Sequence, residues 1–232
     1  MKTATLDQLL ADRTAKRLVV LATNLSSGEE QLLYPGDEAF LAEAPPALTD
    51  AVQAAVRDDR CATIETGDGR VFLNVFNPPL RAIIVGAVHI AQPLARVAAV
   101  AGYEVVVVDP RRAFANQIRF PGVTVVSEWP DDAIAKLAPD RRTAIITLTH
   151  DPKIDDPALQ AALNSDAFYV GALGSKKTHA ARLERLHRAG FGDDATARIQ
   201  GPVGLAIGAK SPAEIAIAIL AQITEHLRNG KA

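Results

Sequence analysis

The sequence predicts an α/β fold, in which a parallel sheet is flanked by helices and a small α+β module precedes it. After residue 80, short runs rich in Val and Ile alternate with amphipathic segments of helical length. Hydrophobic residues make up 48% of the 232 residues and charged residues 22%, as expected for a packed globular core. Two successive prolines in "NPPLR" mark a junction. We therefore expect one domain over residues 1–77 and another over residues 78–232.

The first domain is predicted to be a small N-terminal α+β module. "KRLVVLATNL" and "EEQLLYP" flank the turn-prone "SSGE" and predict two strands. Residues 45–59 predict a helix with one apolar face. "CATIETGDGRVFLNVF" predicts a hairpin that turns at Asp68-Gly69.

The second domain is predicted to be a Rossmann-like parallel sheet, because its strand and helix patterns alternate. The predicted strands are 81–85, 104–108, 123–126, 143–148 and 167–171. The predicted helices are 89–101, 131–138, 156–164, 176–189 and 212–228. Ser211, Pro212 and Glu214 give the last helix an N-cap, a first-turn proline and a capping box.

Charge and composition narrow the class of protein. A formal net charge of −2 disfavours binding to nucleic acid. The N-terminus lacks the apolar core of a signal peptide, and no run of about 18 apolar residues predicts a membrane span. We therefore expect a soluble cytoplasmic protein. The single cysteine, Cys61, excludes an internal disulfide and a multi-cysteine metal site, and we expect it to be a small buried residue.

The first strand of the Rossmann-like domain runs into "GAVHIA", an altered dinucleotide-binding turn. Gly86 and Ala91 fit the first and third positions of that turn, whereas Val88 replaces the glycine over which a pyrophosphate passes closely. His89 follows in the first predicted helical turn and can face the crevice. Two interpretations stay open: a dinucleotide site, or a βαβ unit whose ligand has been lost or altered.

Asp109 ends the second strand, 23 residues beyond Gly86. That spacing suits an acid that accepts hydrogen bonds from ribose hydroxyls. Arg111 and Arg112 follow and can meet a phosphate. The alternative is an acid that closes a strand, followed by two solvated arginines.

Polar residues follow the fourth strand in "TLTHDPKIDDPAL". Thr149, His150 and Asp151 gather at this strand end, and the His150–Asp151 pair suits an acid/base or ligand role. No metal-ligand spacing is present. Asp155 and Asp156 are expected to cap the next helix.

A cationic helix start follows the fifth strand in "GALGSKKTHAARL". Gly174 loosens the turn, Ser175 can cap the helix, and Lys176 and His179 lie in its first turn. Cations oppose the helix dipole there, which favours a bound anion, although lysines that point into water are the alternative. In the last loop, Gly204 and Gly208 are expected to let the chain cover the crevice.

Four strings together closely resemble the Rossmann domain of the XdhC/CoxI family, the xanthine dehydrogenase accessory factors. They are "VGAVHIAQPLA" with "GYEVVVVDPR", "TAIITLTHDPKIDDPAL", "YVGALGSKKTHAARLERL" and "RIQGPVGLAIGAKSPAEIAIAILAQI". The resemblance covers about residues 78–228.

The resemblance implies a cytoplasmic, usually dimeric protein that acts as a chaperone rather than a catalyst. Such proteins bind the molybdenum cofactor and, after its sulfuration by a cysteine desulfurase, deliver it to molybdenum hydroxylases. With the crevice residues derived above, the implied cofactor site comprises Gly86, His89, Ala91, Asp109, Arg111, Thr149, His150, Asp151, Gly174, Ser175, Lys176, His179, Gly204 and Gly208.

Several positions depart from the family pattern. Val88 stands for a glycine, Ala206 stands for an acid, and the N-terminal "GSSPRxxG" and cysteine-bearing "GSISGGCVE" strings are absent. We therefore expect a shortened N-terminal module that can act with a full-length paralogue. Two alternatives stay open: an NAD(P)-binding oxidoreductase, and a cofactor-free regulatory protein that keeps the fold.

Overall fold

The structure is a computed structural model that describes residues 2–67 and 69–229. The chain divides into two compact units, the first ending at Pro79 and the second beginning at Leu80, two residues beyond the boundary expected from the prolines. Of the predicted hairpin turn, Gly69 opens a strand, whereas Asp68 lies outside the described residues.

The first unit is built on a four-stranded antiparallel sheet in the order β2-β1-β4-β3. Val20, Leu33, Val52 and Leu73 are buried between this sheet and the third helix. The elements are α1 (Thr3–Thr14), β1 (Val19–Asn24), β2 (Glu30–Leu33), α2 (Glu38–Glu43), α3 (Pro46–Asp58), β3 (Ala62–Thr66) and β4 (Gly69–Phe76).

Two helices of this unit are absent from the sequence prediction. Helix α1 buries only Leu9 and Asp12, and α2 buries no residue, so neither has a strong apolar face. The expectation for Cys61 was wrong: it is exposed, and its thiol lies 3.2 Å from Oδ1 of Asn74. Its position directly before an edge strand leaves the side chain outside the core.

The second unit is the predicted Rossmann-like parallel sheet flanked by helices. Its strand order is β10-β9-β8-β5-β6-β7, so the order reverses between β5 and β8. The elements are β5 (Arg81–Val85), α4 (Ala91–Val100), β6 (Glu104–Val108), β7 (Thr124–Val126), α5 (Pro130–Leu137), β8 (Thr143–Thr147), α6 (Pro152–Leu163), β9 (Tyr169–Ala172), α7 (Lys176–Arg188), α8 (Asp193–Thr196), β10 (Ile199–Gln200) and α9 (Pro212–Arg228).

Both faces of this sheet are buried, which explains the continuous apolar runs. One face packs on α4 and α9 through residues such as Ile84, Ile146 and Ile219. The opposite face packs on α5, α6 and α7 through residues such as Ile145 and Leu186. The two layers leave the carboxyl ends of the strands as a shared edge.

Helix α6 starts four residues earlier than expected. Asp151 is its N-cap, and the Asp151 side chain accepts a hydrogen bond from the backbone of Lys153. Asp155 and Asp156 are therefore not caps, and Pro157 lies inside the helix rather than at its boundary. By contrast, the capping box of α9, formed by Ser211 and Glu214, is confirmed.

Candidate functional site

The candidate site is a crevice at the carboxyl ends of β5 and β8, where the strand order reverses. Gly86 directly follows β5 and has a φ of +105°, a conformation that favours glycine. A Cβ atom at position 86 would overlap Cγ2 of Thr149, which follows β8. The floor of the crevice is therefore closed by direct contact between the two turns.

The turn after β5 leads into α4, which begins at Ala91 rather than at residue 89. Ala91 is fully buried, as expected of the third position of the fingerprint. Val88 is half-buried and packs against the core between the sheet and α4 and α9. His89 is exposed beside the start of the helix.

Asp109 fixes this turn from the end of β6. Its carboxylate is fully buried and accepts hydrogen bonds from the backbone N–H groups of Ala87, at 2.8 Å, and Arg111, at 2.9 Å. Nε and Nη2 of Arg111 donate two more, at 2.9 and 2.7 Å. Burial alone would raise the pKa of Asp109, but these bonds outweigh it and lower the pKa. All of its acceptor positions serve the protein, so we assign Asp109 to positioning.

Arg119 holds the same turn from the other side, and no motif in the sequence marked it. Its Nη1 donates to the carbonyl oxygens of Ala87, at 2.7 Å, and Phe114, at 3.0 Å. The guanidinium groups of Arg111 and Arg119 lie 4.8 and 5.7 Å from the centroid of the Phe114 ring. The backbone of Ala87 is thus bound at both its N–H and its carbonyl oxygen.

Asp155 organises the turn after β8 from inside α6. Its buried carboxylate accepts hydrogen bonds from Oγ1 of Thr149, at 2.6 Å, and from the backbone N–H of His150, at 3.0 Å. His150 adopts a φ of +62°, uncommon for a residue with a side chain, and its ring is exposed. Burial raises the pKa of Asp155, although these hydrogen bonds and the charge of Arg182 oppose the rise.

Charges on the two sides of the crevice face each other. The pKa of Arg111 is raised mainly by its hydrogen bonds to Asp109, and further by the negative charges of Asp151 and Asp155. The side chain of Arg111 is 38% exposed. A polar ligand between the ends of β6 and β8 would therefore meet the Arg111 cation on one side and the partly exposed Asp151 carboxylate on the other, while Asp155 is buried beneath.

The turn after β9 carries the predicted cationic helix start. Ser175 is the N-cap of α7, and its Oγ accepts a hydrogen bond from the backbone of Thr178 at 3.1 Å. Gly174 has a φ of +150°. Lys176 and Lys177 are exposed on the first turn, where the helix dipole is positive.

Arg182 is a residue of this region that the sequence patterns did not reveal. It is 1% exposed, and its Nη2 donates to the carbonyl of Leu173 at 2.7 Å. Within the described chain, its Nε and Nη1 are buried without a hydrogen-bond partner. Position 182 lies four residues before the buried Leu186, and that spacing was the available signal for an inward-facing arginine.

His179 packs beneath the last loop. A Cβ atom at Gly201 would overlap the His179 ring, and the buried Nδ1 of that ring has no partner among the described residues. Burial, followed by the charge of Arg182, lowers the pKa of His179 and so favours the neutral ring.

Among the described contacts, none joins Gly204 or Gly208 to the crevice residues. Gly204 packs against Ala218 of α9, and its N–H donates to the side chain of Gln222 at 2.8 Å. A Cβ atom added at Gly208 would meet no neighbouring atom within 4 Å. The close packing on α9 accounts for a glycine at position 204, so its proposed ligand role is not needed to explain it.

Two further classes of feature are absent from residues 2–67 and 69–229. No group of three or more His, Cys, Asp or Glu side chains is arranged to hold a metal ion. None of the helices there combines the length and apolar character needed to cross a bilayer.

A doubly wound sheet with a polar crevice at its switch point defines a Rossmann-fold protein. The chain belongs to the XdhC family: the model of the XdhC Rossmann domain matches residues 82–223.

Three curated relatives resemble the chain. It is 34% identical over 148 residues to the molybdenum cofactor insertion chaperone PaoD of Escherichia coli, covering 64% of this chain and 40% of PaoD. It is 30% identical over 189 residues to the uncharacterized protein YqeB of Escherichia coli, covering 82% and 35%. It is 30% identical over 156 residues to a probable xanthine dehydrogenase subunit of Bacillus subtilis, covering 67% and 45%. The chain thus spans less than half the length of each relative.

A solved structure resembles the chain more completely. A crystal structure described as a xanthine dehydrogenase from Bacillus halodurans matches with a TM-score of 0.69 and 26% identity, covering 97% of this chain and 64% of that one. At that coverage the similarity extends into both units.

Proposed function

We propose that this protein is an accessory factor in the maturation of a molybdenum hydroxylase of the xanthine or carbon monoxide dehydrogenase type. It binds the molybdenum cofactor in the crevice and helps to insert it into the apo-enzyme. The observation that carries the proposal is the 34% identity to a protein named as a chaperone for inserting this cofactor. A cysteine desulfurase or a longer paralogue is a further proposed partner, and the proposed state is a cytoplasmic homodimer.

The crevice residues suit the phosphate-bearing part of that cofactor. Arg111, Lys176 and the amino end of α7 provide positive charge, and the exposed ring of His150 adds a polar group after β8. The Thr149 hydroxyl already donates to Asp155 and supports the turn rather than the ligand. When bound, the cofactor supplies the metal centre that the hydroxylase uses. The residues of this chain hold and orient it.

Thiolate ligation is not part of the proposal. The chain has one cysteine, Cys61, which belongs to the first unit and contacts Asn74. We therefore assign cofactor binding to charge and hydrogen bonds in the second unit.

An NAD(P) nucleotide is the alternative ligand, and the turn after β5 argues against it. The N–H of Ala87 already donates to Asp109, whose carboxylate is saturated. Val88 places a branched side chain where a pyrophosphate normally approaches the backbone.

The test is retention and transfer of the cofactor by the purified full chain. The protein is incubated with molybdenum cofactor, desalted and assayed for molybdenum and pterin, and then added to an apo-molybdenum hydroxylase. Retention together with a gain in hydroxylase activity supports the proposal. No retention and no stimulation, with a competent relative as the positive control, refutes it. Calorimetric titration with NADH and NADPH tests whether a nicotinamide nucleotide is the ligand instead.

A further inference from the structure

We propose that a phosphate group binds at the amino end of α7, over the Gly174–Ser175 turn, with Arg182 as a buried countercharge beneath it. The identity of the phosphate, as that of the molybdenum cofactor, rests on the proposed function. The anion site itself rests on the geometry of this turn.

Arg182 is the observation that points to a ligand. A guanidinium carries five N–H donors, and buried donors are nearly always paired. Here the side chain is 1% exposed, a single protein bond goes to the carbonyl of Leu173, and Nε and Nη1 have no partner in the described chain. Burying a cation in this way is unfavourable unless an opposite charge is brought close.

The neighbouring carboxylates do not pair directly with that guanidinium. Asp156 is bound by Arg185 through two hydrogen bonds, at 2.6 and 2.9 Å. Asp155 accepts from the Thr149–His150 turn, and burial raises its pKa toward the neutral form. Both acids favour the charged form of Arg182 at longer range, but burial outweighs them and lowers the pKa of Arg182. The guanidinium beneath the turn therefore lacks a direct counterion among the described residues.

The turn lies against Nη2 of the guanidinium, the nitrogen that also donates to Leu173. A Cβ atom at Gly174 would stand 3.6 Å from Nη2 of Arg182 and 3.1 Å from Cβ of Thr178. The cation thus underlies the backbone that opens α7. The first N–H groups of a helix have no intrahelical acceptor, so those of Lys176 and Lys177 are placed to donate to a ligand at this end.

The lysines on the surface of the turn are positively charged, as is Arg182 beneath it. Lys176 and Lys177 are exposed on the first turn, against the positive end of the helix dipole. Without a ligand these two lysines, Arg182 and the dipole repel one another. A phosphate dianion attracts each of these groups and so offsets their mutual repulsion, more strongly than a singly charged carboxylate would.

The test uses the full chain and inorganic pyrophosphate, titrated by calorimetry in a buffer free of phosphate and sulfate. Two variants remove charge from the site, Arg182→Gln and the double variant Lys176→Gln/Lys177→Gln. The matched control is Arg188→Gln, which removes an exposed charge from the last turn of the same helix. We expect the site variants to lose about tenfold or more in affinity, as for a lost charge-assisted contact, and the control to stay within about twofold.

Binding that is equal in the unmodified chain and in both site variants overturns the inference, and so does an unmodified chain that binds no pyrophosphate. If circular dichroism shows that Arg182→Gln does not fold, the pyrophosphate affinity of the double lysine variant decides the test. Molybdenum cofactor retention is measured on the same proteins. Pyrophosphate bound at the site without cofactor retention refutes the proposed function alone. If the site variants bind pyrophosphate more weakly but retain the cofactor unchanged, the anion site stands and the assignment of its phosphate to the cofactor is refuted.

Discussion

Thr149 closes over Gly86 where β5 and β8 end: a Cβ atom at position 86 would overlap Cγ2 of Thr149 and lie 3.3 Å from its backbone nitrogen. The contact joins the two turns that flank the switch point of the sheet. Glycine is therefore required at position 86 both by its φ of +105° and by the space left by its neighbour.

Gly86→Ala is expected to lower the free energy of unfolding by about 2–3 kcal/mol, from backbone strain and overpacking. Thr149→Ser removes Cγ2 while keeping the hydroxyl that donates to Asp155. In the double variant the overpacking is relieved, so about 1 kcal/mol of the loss is recovered. Urea denaturation of the four proteins of this cycle measures the coupling, and purely additive losses would contradict the contact.

Asp155→Asn is expected to change how stability depends on pH. The pKa of Asp155 is raised above its ordinary value of 3.8, so the folded state binds its proton more tightly than the unfolded state does. The contribution of this group to stability therefore falls as pH rises from about 3.8 through the raised folded pKa. In the asparagine variant this contribution to the pH dependence of stability is absent.

At pH 7 the same variant is expected to be less stable, because its carboxamide would place an N–H₂ group against the donors of the 149–150 turn. The measurement is the melting temperature from pH 4 to pH 8 beside Asp131→Asn, an exposed control on α5. A slope equal to that of the unmodified chain would show that Asp155 does not titrate with a raised pKa.

Asp109→Asn separates the positioning role from the ribose-binding role that its spacing suggested. The buried carboxylate accepts four hydrogen bonds, two of them from the Arg111 side chain, so the variant is expected to lose about 2–3 kcal/mol of stability. Because the pKa of Asp109 is lowered, its stabilising contribution is present above pH 3.8 and is lost as pH falls through the folded pKa.

Chemical denaturation at pH 7 checks the Asp109 prediction, and nucleotide titration of the same variant completes it. A variant of unchanged stability that loses only nucleotide affinity would restore the ribose assignment. The spacing of 23 residues from Gly86 was visible in the sequence, whereas the partners of the carboxylate were not.

The strands of the parallel sheet could be predicted from the sequence because both faces of the sheet are buried. Strands such as Arg81–Val85 and Glu104–Val108 were predicted at their observed bounds because short continuous apolar runs are typical of strands buried on both faces. The four-residue α8 and the two-residue β10 are too short for any periodicity to mark them.

The sequence predicted which residues lie at the candidate site, but it did not predict which of them touch one another. The residues after each strand could be collected because the carboxyl ends of parallel strands share one edge. The burial of Arg182 could not be predicted, because a charged residue on an amphipathic helix is usually solvated. Only the three-dimensional packing of α7 buries it. Helix α6 is longer than predicted because Asp151 caps it rather than Asp155 or Asp156, and Pro157 is tolerated in its second turn, where a proline removes only one helical bond.

Val88→Gly is expected to increase affinity for dinucleotides while lowering stability. Val88 is half-buried against the core at the start of α4, so removing it costs about 1–2 kcal/mol in lost packing and added backbone freedom. The same change opens the backbone to the close approach that a pyrophosphate needs. Calorimetric titration of NADH into Val88→Gly and Val88→Ala, with melting temperatures of both, separates the two effects. Glycine should gain affinity over alanine because close approach requires the absence of Cβ; equal affinities would show that this turn does not limit dinucleotide binding.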